Sequence, residues 1–87
     1  MKRTVTVLQD DIDQGYPCDT QKCPVARAVR RDLADLFLYG VVSVTGGTIY
    51  FGVGRYLLTP APVADFVDRF DRGLPVEAFK FEVEVPE

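Results

Sequence analysis

Apolar and polar residues alternate strictly near both ends of the chain. Residues 3–8 alternate threonine with valine, and residues 79–85 place an apolar side chain at every odd position and a charged one at every even position. Such alternation is typical of a strand that buries one face and exposes the other. The sequence therefore predicts a β-strand at each of these two places.

Two internal segments repeat their apolar residues at helical spacing instead. The first begins at Pro24, which suits the first position of a helix because its missing N–H would have no partner there, and we expect it to run until Gly40. The second follows Pro60 and is expected to end at Gly73. Apolar stripes of this kind face a core. The predicted core residues are Val25, Val29, Leu33, Phe37, Val63, Phe66, Val67, Phe70, Phe79, Phe81 and Val83.

The middle of the chain has the pattern of short strands joined by turns. Residues 41–45 and 48–52 flank a Gly-Gly pair, which predicts a β-hairpin, and residues 55–58 form a further short strand. Near the start, Asp10 is placed to cap a single helical turn that Gly15 ends. The order β, turn, α, β, β, β, α, β predicts one α+β domain over residues 1–87. We expect two layers, with a mainly antiparallel sheet of four to five strands and two helices on one face.

The composition narrows the possible functions. The 87 residues include no histidine and two cysteines, which removes the Ser-His-Asp triad and leaves too few ligands for a four-ligand structural zinc site. We therefore expect neither an enzyme nor a bound metal or cofactor.

Charge and hydropathy exclude further classes of partner. Ten Lys and Arg residues against thirteen Asp and Glu residues give a net charge of −3, so the chain lacks the broad basic surface that dominates nucleic-acid affinity. No apolar run approaches the roughly 20 residues of a membrane span, and the first residues lack the apolar core of a signal peptide. Nucleic acid and membrane are therefore not the expected partners, and a cytoplasmic location is predicted.

Four basic residues gather around the start of the first predicted helix. They are Lys22, Arg27, Arg30 and Arg31. Backbone N–H groups and cations that converge at a helix N-terminus can hold an anion, so this cluster is a candidate site for a phosphate or an acidic partner. The alternative is a solvated helix face, on which Arg31 is spaced to pair with Asp35.

The two cysteines allow several interpretations. Cys18 and Cys23 are separated by four residues rather than the two of a thioredoxin-like motif. Cys23 precedes the first helix, whose positive end, together with Lys22 and Arg27, could lower the pKa of its thiol. With a lowered pKa, Cys23 would be a reactive thiol. In a second interpretation the two cysteines join in a disulfide that closes a small loop. Alternatively, Cys23 is a small buried apolar residue that ties the loop to the core, with Cys18 more accessible.

Several of these segments together resemble a family of small uncharacterised bacteriophage and prophage proteins. The segments are Val5-x-Val7, Asp11-Ile12-x-x-Gly15, Cys23-Pro24-Val25-Ala26 and Asp65-Phe66-x-x-x-Phe70-Asp71-x-Gly73-x-Pro75-Val76-x-x-Phe79-x-Phe81. The resemblance implies a phage accessory protein without known catalytic residues. Cys18 is not part of the shared pattern.

These observations lead to three functional hypotheses. The first is a non-enzymatic phage-type accessory protein that binds a host or defence protein and modulates it. The second is a homodimer that binds a small anionic ligand or nucleotide at the basic helix start. The third is a thiol-based redox protein centred on Cys23.

Overall fold

The protein has the predicted α+β class. The structure is a computed structural model and describes residues 2–36, 42–51 and 55–85. Its elements are β1 (Lys2–Val7), α1 (Gln9–Gln14), α2 (Pro24–Asp32), β2 (Ser43–Val44), β3 (Thr48–Phe51), β4 (Arg55–Leu58), α3 (Ala61–Asp71) and β5 (Phe79–Glu84), with a 3₁₀ turn at Ala34–Leu36.

The five strands of the described ranges are antiparallel and divide into two sheets. β1 pairs with β5, so the two alternating segments predicted at opposite ends of the chain are each other's partners, with Val5 opposite Phe81. The predicted hairpin is formed by β2 and β3, and β4 adds to the other side of β3. The prediction of one sheet of four to five strands thus has the right strand count, but the strands form a pair and a triplet.

The core lies where the apolar stripes predict it. Eight of the predicted core residues are buried, namely Val25, Val29, Leu33, Val63, Phe66, Val67, Phe81 and Val83. Phe70 and Phe79 are only partly buried and pack against this core, and Phe37 lies outside the described residues. Val5 and Val7 of β1 and Ile49 of β3 are also fully buried in this core.

The helix α2 ends earlier than its apolar stripe predicts. Its last residue is Asp32, and the expected end at Gly40 falls outside the described residues. The carbonyl of Asp32 accepts a hydrogen bond from Arg3 at 3.0 Å, and the Asp32 carboxylate accepts one from the Thr6 N–H at 2.8 Å. Because β1 engages both groups of Asp32, the chain continues as a 3₁₀ turn rather than as further α-helix.

The helix α3 follows its sequence pattern closely. Gly73 adopts a φ of +74°, in the left-handed region that favours glycine, and its N–H donates to the carbonyl of Phe70 at 3.1 Å. Asp65 pairs with Arg69 at 3.0 Å. The predicted end of the helix at Gly73 is confirmed.

The short helix α1 is capped differently from the prediction. Leu8, rather than Asp10, occupies the N-cap position, and the Asp11 carboxylate accepts a hydrogen bond from the Leu8 N–H at 2.9 Å. An acidic residue at the third helical position can reach back to the cap in this way. This places Asp11 under α1, facing α2.

Candidate anion-binding groove

The structure brings the four predicted basic residues to one groove. This basic groove, of about 700 Å³, lies between α1, the loop before α2, and α2 itself, and it is lined by Lys22, Arg27, Arg30, Arg31, Asp11, Gln14 and Tyr16. Three of the cations lie on α2 at the i, i+3 and i+4 positions of one helix face. The four basic residues differ in their contacts and in their roles.

Arg31 is committed to the fold. Its guanidinium donates to both carboxylate oxygens of Asp11, at 2.9 and 3.1 Å, and to the carbonyl of Thr6 at 2.6 Å. The predicted pair of Arg31 with Asp35 is wrong, because Asp35 binds Arg3 of β1 at 2.8 Å. Arg31 therefore joins α2 to α1 and β1.

Asp11 is the one buried charged side chain of the described residues, at 1% exposure. Burial alone would raise the pKa of its carboxyl, but the hydrogen bonds from Arg31 and the Leu8 N–H, together with the charges of Arg31 and Arg27, hold that pKa below its ordinary value. The carboxylate is therefore charged at neutral pH and anchors two of the four cations.

Arg27 is held by charge rather than by hydrogen bonds. Its guanidinium lies 3.5 Å from carboxylate oxygens of both Asp10 and Asp11. Its Nε is buried and lacks a hydrogen-bond partner within the described ranges. A buried donor without an acceptor costs free energy, and the ion pairs with Asp10 and Asp11 hold the guanidinium in place despite this cost.

Lys22 and Arg30 provide the unbalanced charge. Neither contacts a carboxylate among the residues that the structure describes. Arg30 donates one hydrogen bond to the Gln21 carbonyl at 2.5 Å, and the Lys22 ammonium lies 5.8 Å from the centroid of the Tyr16 ring. Tyr16 is itself 58% exposed. The accessible wall of the basic groove thus consists of two cations beside an aromatic face.

The backbone at the start of α2 does not contribute as expected. Pro24 has no N–H, and the Ala26 N–H donates to the sulfur of Cys23 at 3.4 Å. The expected convergence of backbone donors with the basic side chains is therefore wrong, since the cysteine caps the helix. Any anion bound in the groove would be held by side chains.

The environment of Cys23 contradicts the expectation of a lowered thiol pKa. Its side chain is 3% exposed, and burial, assisted by the charge of Asp71, raises the pKa despite the N–H donors of Ala26 and Val25. This confirms the alternative of a small buried residue that ties the loop to the core. Cys18 is exposed, and the two thiols are not joined in a disulfide.

We expect alkylation to distinguish the two thiols. In the native protein iodoacetamide should modify Cys18 at least roughly tenfold faster than Cys23, because the reactive thiolate must be both formed and accessible. Timed labelling followed by mass spectrometry measures this ratio, and labelling in urea provides the control in which the two rates converge. Faster labelling of Cys23 in the native protein would contradict its burial.

Sequence reasoning missed Asp11, Gln14 and Tyr16 as parts of the groove. No local pattern in the sequence marks them, because α1 and the loop after it meet α2 only through the fold. Among the described residues no three His, Cys, Asp or Glu side chains are grouped so that they could hold a metal ion. None of the described helices has the length and apolarity needed to cross a membrane.

Comparisons with family models, curated proteins and solved structures found no match to this chain. The resemblance to small bacteriophage proteins therefore stays a prediction from its sequence motifs.

Proposed function

We propose that the protein is a non-enzymatic binding module that docks a carboxylate-rich partner protein in the basic groove. The observation that carries this proposal is the placement of Lys22 and Arg30, without carboxylate partners in the described part of the chain, beside the exposed ring of Tyr16. If the chain is a phage accessory protein, as its motifs suggest, the partner would be a host or defence protein whose activity the docking modulates.

The form of the groove favours a protein partner. Its lining is open to solvent, with the Tyr16 side chain and that of Arg31, at 42% exposure, facing outward. Small-molecule sites usually enclose most of the ligand's surface, whereas arginine and tyrosine are enriched among the residues that dominate protein interfaces. Complementary charge would also speed the encounter and select acidic partners.

A small anion or nucleotide is the second candidate. The Tyr16 ring with Lys22 above it could stack a base while Arg30 and Arg27 contact phosphate oxygens. A homodimer without such a ligand could instead pair the basic groove of one copy with the acidic exterior of α3 and β5 of the other. Asp65 and Asp68 of that surface are already paired with Arg69 and Arg72 in the same chain, which favours a different molecule as the partner.

Charge reversal in the groove tests the proposal. We expect the double variant Lys22→Glu/Arg30→Glu to bind a synthetic glutamate-rich peptide roughly tenfold more weakly, since each exposed charge contact contributes up to about 1 kcal/mol. Isothermal titration calorimetry at low and high salt measures the effect, and salt should weaken binding by the wild type. The matched control is Arg69→Glu/Arg72→Glu on α3, which changes the net charge equally and should bind like the wild type.

The outcomes separate the candidates. Equal loss of affinity in the groove variant and in the α3 control would contradict a site at the basic groove. Binding of ATP or inorganic phosphate at lower concentrations than the peptide, with the same dependence on Lys22 and Arg30, would assign the groove to a small anion instead.

A further inference from the structure

Both cysteines line a second, smaller cavity on the other side of the loop before α2. This cavity, of about 260 Å³, is bounded by Cys18 and Cys23, by Thr45 at the β2–β3 turn, and by Val67 and Asp71 of α3. It is separate from the basic groove and contains none of the four cations. Of the residues between the cysteines, Asp19 and Thr20 also line it.

A tight turn folds the two cysteines toward this cavity. The Asp19 carboxylate accepts hydrogen bonds from the N–H groups of Gln21 and Lys22, both at 3.0 Å. The Asp19 carbonyl accepts one from the Cys23 N–H, also at 3.0 Å. The chain therefore turns back within the Cys18–Cys23 segment instead of extending between the two sulfurs.

Cys18 is held in a conformation that a residue with a side chain rarely adopts. Its φ is +57°, in the left-handed region. The end of α3 maintains it there, because the Cys18 N–H donates to the Asp71 carboxylate at 2.8 Å and its thiol lies 3.7 Å from the Asp71 carbonyl oxygen. The end of α3 thus fixes the position of Cys18 at the cavity.

From these features we infer that Cys18 and Cys23 form an intramolecular disulfide when the protein meets a hydroperoxide. In the first step the exposed Cys18 thiol loses its proton and the thiolate attacks one peroxide oxygen. The O–O bond breaks and the leaving hydroxide takes up that proton, which gives a sulfenic acid and, from hydrogen peroxide, one water molecule. In the second step the sulfur of Cys23 attacks the sulfur of the sulfenic acid. The S–S bond forms, the S–O bond breaks, and the departing hydroxyl takes the proton of the Cys23 thiol and leaves as a second water, so two thiols are oxidised and one peroxide is reduced.

The different environments of the two thiols set the order of these steps. Cys18 is accessible to a dissolved peroxide, whereas Cys23 is buried and caps α2 through its contact with the Ala26 N–H. Cys23 therefore acts as the resolving thiol and leaves its capping position when the bond forms. Lys22 lies inside the closed loop, so closure also fixes one cation of the basic groove.

Peroxide treatment of the reduced full-length protein tests this inference. With an equimolar amount of hydrogen peroxide we expect a monomer that has lost two hydrogen atoms and regains them in dithiothreitol. Trypsin cleaves after Lys22, so non-reducing digestion of that monomer should yield the peptides 4–22 and 23–27 joined by a disulfide.

Two single variants serve as controls. Cys18→Ser should leave Cys23 reduced under the same treatment, and Cys23→Ser should accumulate a Cys18 sulfenic acid that dimedone traps, or disulfide-linked dimers. If the wild-type protein instead gives only trapped sulfenic acid or linked dimers, with no joined peptides from the monomer, the inference is overturned. The wild-type digest decides the question even if a variant fails to fold.

Discussion

Truncation of Phe66 to alanine is expected to lower the free energy of unfolding by about 3–5 kcal/mol, the usual cost of removing a buried phenylalanine side chain. Phe66 is 6% exposed, and its ring centroid lies 4.8 Å from that of Phe79 on β5. It therefore couples α3 to the β1–β5 sheet. A chain of 87 residues has a total stability of only about 5–15 kcal/mol, so this variant should lose a large share of its stability.

Phe70→Ala is the matched control for this prediction. Phe70 lies one turn further along α3, stacks on Phe66 with a centroid distance of 6.3 Å and is only partly buried. We expect Phe70→Ala to lower the free energy of unfolding by only about 1–2 kcal/mol, because less apolar surface returns to water. Urea unfolding followed by circular dichroism compares the two variants. A loss for Phe70→Ala equal to or larger than that for Phe66→Ala would contradict the packing of α3.

The elements that the sequence predicts well are those whose pattern is local. The alternation of residues 79–85 can only be satisfied by a strand with one buried face, and β5 covers Phe79–Glu84. The stripe of Val63, Phe66 and Val67, followed by Gly73, likewise predicts both the buried face and the end of α3. In each case neighbouring residues carry all the information that the element needs.

The elements that the sequence predicts poorly depend on contacts between distant residues. Arg3 reaches Asp35 and the carbonyl of Asp32, and these partners are 32 and 29 residues away along the chain. The apolar spacing along a helix does not reveal such a partner, so the sequence predicts an α2 that is longer than the one observed.

The candidate site shows the same division. The clustering of Lys22, Arg27, Arg30 and Arg31 follows from helical spacing and was predicted. Their separation into two structural and two accessible cations was not, because it depends on Asp11 from another helix, 20 residues away from Arg31. Charge reversal at Arg27 and Arg31 would therefore disturb the fold, and only Lys22 and Arg30 are suitable for testing binding.

Asp11→Asn is expected to lower the free energy of unfolding by about 2–3 kcal/mol, within the range for losing hydrogen bonds to a charged group. The variant has nearly the same shape but lacks the negative charge. It leaves Arg31 without its two-oxygen partner and Arg27 without one of its two carboxylates. Asp10→Asn is the matched control: Asp10 is exposed, contacts Arg27 at 3.5 Å, and should cost no more than about 0.5 kcal/mol.

The pH dependence of the stability difference between the wild type and Asp11→Asn identifies its cause. Because the pKa of Asp11 is lower in the folded protein than its ordinary value, the stabilisation by its charge is fully present above the unfolded pKa of about 4 and is lost as the pH falls through the folded value. The wild type and Asp11→Asn should therefore differ fully at pH 7 and converge on acidification below about pH 4, as urea unfolding at a series of pH values would show. A difference that stays constant down to the lowest pH at which the protein folds would mean that the loss comes from the amide group that asparagine places in the buried site, and that the two arginines do not depend on the charge of Asp11.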